Sequence, residues 1–213
     1  VTTPLAFVCT RFVSDQLFSG RVEGVQYALF AGLSIFFFLA GVVSIPFYVF
    51  ATSLPPLMRL ASIQNAMLIG GTWLLIPFLS VLRDPTALLL GFALGAVVMN
   101  GLALFAPHRS SLELLTSFNL GLSVADAIVL WRLTRAFGAS IIPQTAFWRA
   151  FSQYWELGAA GVAYGFSLWI DKLVMWFFSP IGILKVSGAL QTMPRYDTAM
   201  FWAQLASLPA VSV

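Results

Sequence analysis

Chemistry built on cysteine or histidine is almost shut out of this chain. Its 213 residues include one cysteine, Cys9, and one histidine, His108. A single thiol closes no intramolecular disulfide, and no ligand cluster surrounds it. A zinc centre or a Ser-His-Asp hydrolase needs more of these groups than are present. Charge is scarce as well, at 9% of residues against 60% hydrophobic. Ordinary globular domains carry about 25% charged residues, so a fully water-facing surface is excluded. The net charge of +3 does not mark a nucleic-acid binder, because the arginines are spread one to three per loop instead of forming a basic patch. A secretory signal would need a basic n-region, an apolar core and a small-residue cleavage site. No such pattern is present.

Apolar length is what the chain has in plenty. Mean hydropathy is +0.91, and the apolar stretches run to about twenty residues, enough to cross a hydrocarbon core roughly 30 Å thick. The expectation is an all-α integral membrane protein, a polytopic helical bundle. Spans are predicted at about 1–10, 25–50, 61–82, 86–106, 114–131 and 156–178, with another starting near Ala199. The breaks carry turn chemistry: SGRVEG, TSLPPLMR, RDP, APHRSS and RAFGASIIPQ. Pro46 is expected to end or kink the long run 25–50. Both termini fall inside apolar runs, so the chain is expected to be the middle of a longer protein.

Orientation follows from the basic residues in alternate loops. One side holds Arg11, Arg21, Arg83, Arg132, Arg135 and Arg149; the other holds Arg59, Arg109, Lys185 and Arg195. The bias places the first set in the cytoplasm, and with it the connection 132–155. Within that connection Trp148, Phe151 and Trp155 fall on one helical face. They suit a helix lying flat at the membrane surface, or equally an aromatic belt ahead of a span. Either way the segment is the candidate hinge. Gly91 and Gly95 form a GxxxG, and Gly70, Gly71 and Gly101 add bare surface; these are read as helix packing.

Two charges stand in the apolar run GFSLWIDKLVMWF, Asp171 and Lys172. A helix from Leu157 to Phe178 would be about 33 Å long, with Asp171 about 21 Å from one end and about 10 Å from the other. An ionised group at the centre of a membrane helix costs about 2.5–3.5 kcal/mol on the insertion scale. Adjacent residues point about 100° apart, so each has its own row. Lys172 aligns with Gly158, Gly161, Gly165, Trp169 and Trp176, and the indoles suit an ammonium by cation–π contact. Asp171 aligns with Ala160, Tyr164 and Ser167. Two adjoining faces of this kind point to a polar cavity; the alternative is an interhelical ion pair of Lys172 with Asp126. Indoles stack on sugar rings while Lys and Asp bond hydroxyls, which suits a saccharide but does not specify one. The loop 179–198 carries Lys185, Arg195 and Asp197. It is read as a gate closed by Arg195–Asp197 contacts, or as solvated loop ends with an interfacial Tyr196.

The stretch YWELGAAGVAYGFSLWIDKLVMWF, followed by SP, SGAL and RYDTAMFWAQLASLPA, resembles the Pel exopolysaccharide exporter family (PelG). TWLLIPFLSVLRDPTALLLGFALG and TRFVSDQLFSGR resemble earlier parts of that family. Its members in turn resemble the superfamily of polysaccharide flippases and multidrug exporters. The resemblance implies a two-lobed bundle of about twelve helices around a central cavity. Residues 1–131 would belong to the N-terminal lobe, 132–155 to the inter-lobe linker and 156–213 to the start of the second lobe. It further implies export of Pel, an amino-sugar polymer, across the bacterial inner membrane; the lack of convergent carboxylates, histidine clusters or a metal-binding run within the spans speaks against an enzyme, and no cofactor is expected. Implied partners are membrane lipid, a cytoplasmic glycosyltransferase and membrane proteins that respond to cyclic-di-GMP. Asp171, Lys172, Arg195, Tyr196 and Asp197 match the family pattern and are candidates on that account. The competing readings are an ion-coupled exporter of small cationic compounds, a membrane enzyme acting on lipid-linked sugars, and a non-transporting assembly subunit.

Overall fold

A backbone inside hydrocarbon has no water to bond, so it must satisfy its own amides, and helices do this within one segment. The computed structural model describes residues 2–20, 23–82, 85–108, 110–137, 145–178, 184–194, 196–200 and 202. The helices are α1 (Thr2–Phe18), α2 (Glu23–Phe50), α3 (Pro56–Val81), α4 (Pro85–Phe105), α5 (Ser111–Phe137), α6 (Thr145–Gln153) and α7 (Trp155–Phe178). A hairpin of β1 (Leu184–Ser187) and β2 (Leu190–Thr192) follows. Among the described residues, four segments are long and apolar enough to cross a membrane: Gly24–Phe50, Pro56–Ser80, Thr86–Phe105 and Ser111–Phe137. The chain is an all-α membrane bundle. The 24-residue α7 has the length to cross, but Glu156, Asp171 and Lys172 dilute its hydropathy and it falls outside those four.

Several boundaries differ from the sequence expectation for local reasons. Pro46 does not end α2, which continues to Phe50. The third helix starts at Pro56, where a proline loses no hydrogen bond because first-turn amides lack helical partners. The fifth starts with a capping box: Ser110 N–H donates to Glu113 Oε2 at 2.9 Å, and Glu113 N–H to Ser110 Oγ at 3.3 Å. It runs on to Phe137, with Leu133 and Phe137 buried, so the first part of the expected linker is a continuation of α5. The predicted face of Trp148, Phe151 and Trp155 is divided between two helices, because the chain turns at Tyr154.

The core forms around α1, which packs against α2, α3 and α7. Leu5, Cys9 and Phe12, at helical spacing, are buried along it. The buried Cys9 sulfur lies against Gly32, where an added Cβ would come within 3.2 Å of it. The antiparallel pair α4 and α5 approaches closest. A Cβ added at Gly95 would lie 2.5 Å from the Gly121 carbonyl oxygen, and one at Gly121 equally close to that of Gly95. The GxxxG of α4 is a packing device, as expected.

The later part of the chain touches the earlier part at both ends of the bundle. At one end, Phe147 of α6 is wholly buried, edge-to-face on Phe12 of α1 at 5.5 Å and on Tyr27 of α2 at 5.7 Å. Tyr154 OH donates to Asp15, which also pairs with Arg11 at 3.2 Å. The carboxylate beside it raises the Tyr154 phenol above the usual tyrosine range. At the other end, the hairpin docks on the α2–α3 turn. Ala189 N–H donates to Ala51 O at 2.8 Å, and the Ser53 and Ser187 hydroxyls lie 2.9 Å apart. Gly188, at φ +57° in the hairpin turn, sits against the Ala51 carbonyl, where a side chain has no room.

Candidate substrate site at the hairpin end of the seventh helix

The first half of α7 is occupied by α1. A Cβ on Gly161 would lie 2.7 Å from Pro4 Cα and 2.9 Å from Pro4 N; one on Gly165 would meet the Thr3 hydroxyl at 3.2 Å, and one on Gly158 a Val8 methyl at 3.8 Å. The glycine row that the sequence aligns with Lys172 is therefore a notch filled by another helix. Other faces of this half stay open, with Val162 and Tyr164 exposed, and beyond Gly165 Phe166, Leu168, Trp169 and Ile170 are exposed as well.

On that part the two charges have separate partners. Lys172 Nζ lies over the Trp169 ring, 4.8 Å from its centroid, the cation–π contact expected of this row. Asp171 Oδ2 accepts the Tyr196 hydroxyl, bringing together two candidates 25 residues apart. That bond to the carboxylate pushes the Tyr196 phenol up to about 12. The hairpin makes the pairing: it reverses the chain after α7 and starts the next helical turn at Pro194.

Two atoms with unused hydrogen-bonding capacity lie on this part of the helix. Asp171 Oδ1 and Trp176 Nε1 are both buried without a partner. One is an acceptor and the other a donor, and they flank Lys172 along the helix. An orphan of either kind is costly unless something fills it.

The other candidates are dispersed. Ser167 Oγ donates to the Tyr164 carbonyl at 2.8 Å, and the Tyr164 ring lies 6.0 Å from Phe7. Asp197 Oδ2 accepts from Thr192 Oγ1 and from Met193 N–H, both at 2.9 Å. This is a helix-start cap, with Pro194 at the first position. Arg195 lies outside the described residues. Asp126 Oδ1 lies 2.7 Å from the Thr72 hydroxyl oxygen across the α3–α5 contact, and Lys172 is held by Trp169 instead. A crevice of 320 Å³ between α1, α2 and the α6–α7 junction is lined by Leu5, Val8, Leu39, Val43, Phe151 and Trp155, among others, and contains none of the candidates.

One polar feature was not anticipated. Asn119 is buried, donating to Ala61 O at 2.8 Å and accepting from Asn65 Nδ2 at 2.9 Å. With Thr72–Asp126 it forms two rungs between the parallel helices α3 and α5. Both helices space their rungs by seven residues, two helical turns. That shared interval is the signal that could have revealed the seam.

Comparison with known proteins places the chain by family. The family model PelG, described as "Putative exopolysaccharide Exporter (EPS-E)", matches residues 1–213. No curated protein and no solved structure matches the chain.

Proposed function

The chain belongs to the PelG family of exopolysaccharide exporters, and from this premise we propose that it carries an amino-sugar-containing polymer, Pel, across the bacterial inner membrane. The cargo moves through a central polar cavity by alternating access, the general logic of two-lobed transporters. In this reading residues 1–131 belong to the first lobe of a flippase-like fold, 132–155 to the cytoplasmic linker and 156–213 to the start of the second lobe. A cytoplasmic glycosyltransferase supplies the polymer, and membrane proteins responding to cyclic-di-GMP regulate it.

The observation that carries the proposal is the pair of unsatisfied atoms beside Lys172, Asp171 Oδ1 and Trp176 Nε1. A saccharide offers hydroxyls that donate and accept, so they suit an acceptor such as Asp171 Oδ1 and a donor such as Trp176 Nε1. Its ring face stacks on the exposed Trp169 indole. A polymer with free amines is also cationic, and Asp171 is the acidic group at this end of the helix that attracts it. Tyr196 holds the other carboxylate oxygen, fixing the direction in which the free one points.

The test is Asp171→Asn in the full-length exporter, scored for surface polymer and for protein in the membrane fraction. Asparagine still accepts from Tyr196, so normal protein levels with surface polymer reduced at least tenfold are expected. Unchanged polymer, or loss of the protein itself, would assign Asp171 a structural role and end the proposal.

A further inference from the structure

The rung formed by Thr72 and Asp126 contains one proton too few. Thr72 Oγ1 lies 3.0 Å from the Leu68 carbonyl oxygen and 2.7 Å from Asp126 Oδ1. A threonine hydroxyl has a single proton to donate, and a peptide carbonyl only accepts. Donation to the residue four positions earlier is the ordinary state of threonine within a helix. Thr72 then presents only lone pairs to Asp126. An ionised carboxylate presents lone pairs too, and the shorter of the two contacts would be between two acceptors.

A proton on the carboxyl removes the conflict. Asp126 donates to Thr72, Thr72 donates to Leu68, and each close contact is a hydrogen bond. Among the described residues, the helices packed on α5 place no basic side chain level with Asp126 to compensate an ionised form. The helix that packs most on α5 is α4, which has no ionisable side chain. On α3 the one such group is Arg59, thirteen residues before Thr72. α2 contributes Glu23, Tyr27 and Tyr48, all toward its ends, and α5 itself has Glu113 thirteen residues before, with Arg132 and Arg135 six and nine after. A charge left alone among apolar helices is strongly disfavoured.

We propose that Asp126 is a proton-binding site, occupied in this conformation, whose loading governs closure of α3 on α5. The carboxyl is only half buried, so its open side exchanges the proton with water when the rung parts. Release leaves the carboxylate in the opened seam, and reclosure requires the proton again. The Asn65–Asn119 rung, two turns away, has no titratable group and keeps the helices in register throughout. The site stands independently of the cargo; its use in coupling a proton gradient to transport rests on the exporter reading.

Infrared difference spectroscopy on the full-length protein in lipid nanodiscs tests this directly. At neutral pH the wild type should show a protonated-carboxyl C=O band that disappears in Asp126→Asn and moves to higher frequency in Thr72→Val, where its acceptor is gone. A carboxylate band at neutral pH as the feature that Asp126→Asn removes would overturn the proposal. So would a protonated band that Thr72→Val leaves in place, a readout that remains if Asp126→Asn does not fold. Neither result depends on whether polymer is exported.

Discussion

Adding one methyl group to Gly161 probes the contact that joins α7 to the start of the chain. The new Cβ would sit 2.7 Å from Pro4 Cα, 2.9 Å from Pro4 N and 3.1 Å from Thr3 C. All three are backbone atoms and cannot swing aside. Carbon atoms in contact rest about 3.5 Å apart or more, so α1 must retreat by roughly 0.8 Å. That retreat also loosens Gly165 against Thr3 and Gly158 against Val8, which share the notch. Overpacking of this kind costs about 1–3 kcal/mol. Gly101→Ala is the control, since nothing lies within 4 Å of its added Cβ; it should be neutral or gain up to about 1 kcal/mol of helix propensity. The assay is thermal unfolding of the two purified variants in the same detergent, followed by tryptophan fluorescence. Gly161→Ala should melt several degrees below wild type and Gly101→Ala at or above it. Equal melting of the two would refute the notch.

Two further outcomes follow from the hairpin end. The Tyr196 phenol should ionise near pH 12, read by ultraviolet absorption against Tyr196→Phe, and Asp171→Asn should return it toward the ordinary value of about 10. The sign is that of a raised group: the stabilisation is complete below the ordinary tyrosine range and is lost as pH rises through about 12. Cysteines replacing Ser53 and Ser187, whose hydroxyls are 2.9 Å apart, should form a disulfide under oxidation. Export should then stop and resume on reduction; full export with the bond formed would show that the hairpin does not have to leave the α2–α3 turn.

The four spans from α2 to α5 were legible because hydrocarbon imposes a length and a composition that few other settings require, whereas α7, expected as a span, is diluted by its charges. The packing role of Gly91 and Gly95 was legible for a similar reason, since close backbone approach needs small residues. Contacts between helices were harder to read. Gly158, Gly161 and Gly165 form a bare stripe whether a sugar or a helix fills it, and α1 fills it. Asp171 and Tyr196 were each marked as candidates, but their pairing depends on a hairpin whose short strands have no strong period of their own. The turn at Tyr154 has neither proline nor glycine to announce it, so the aromatic face was drawn across a bend. The α3–α5 seam was missed because Asn65, Thr72 and Asn119 look like scattered polar residues until the two helices are aligned.

The two clasps that hold the later helices to the earlier ones are of unequal strength. Hydroxyls and a peptide carbonyl make the hairpin clasp at an exposed site, where water can replace each bond with little net loss. Phe147 makes the other, a ring sealed between Phe12, Tyr27 and its own neighbours, and parting it exposes apolar surface with no substitute at hand. Any force that parts the later helices from the earlier ones meets less resistance at the hairpin than at the aromatic knuckle, so the direction of easiest opening is written into the chemistry of the two ends.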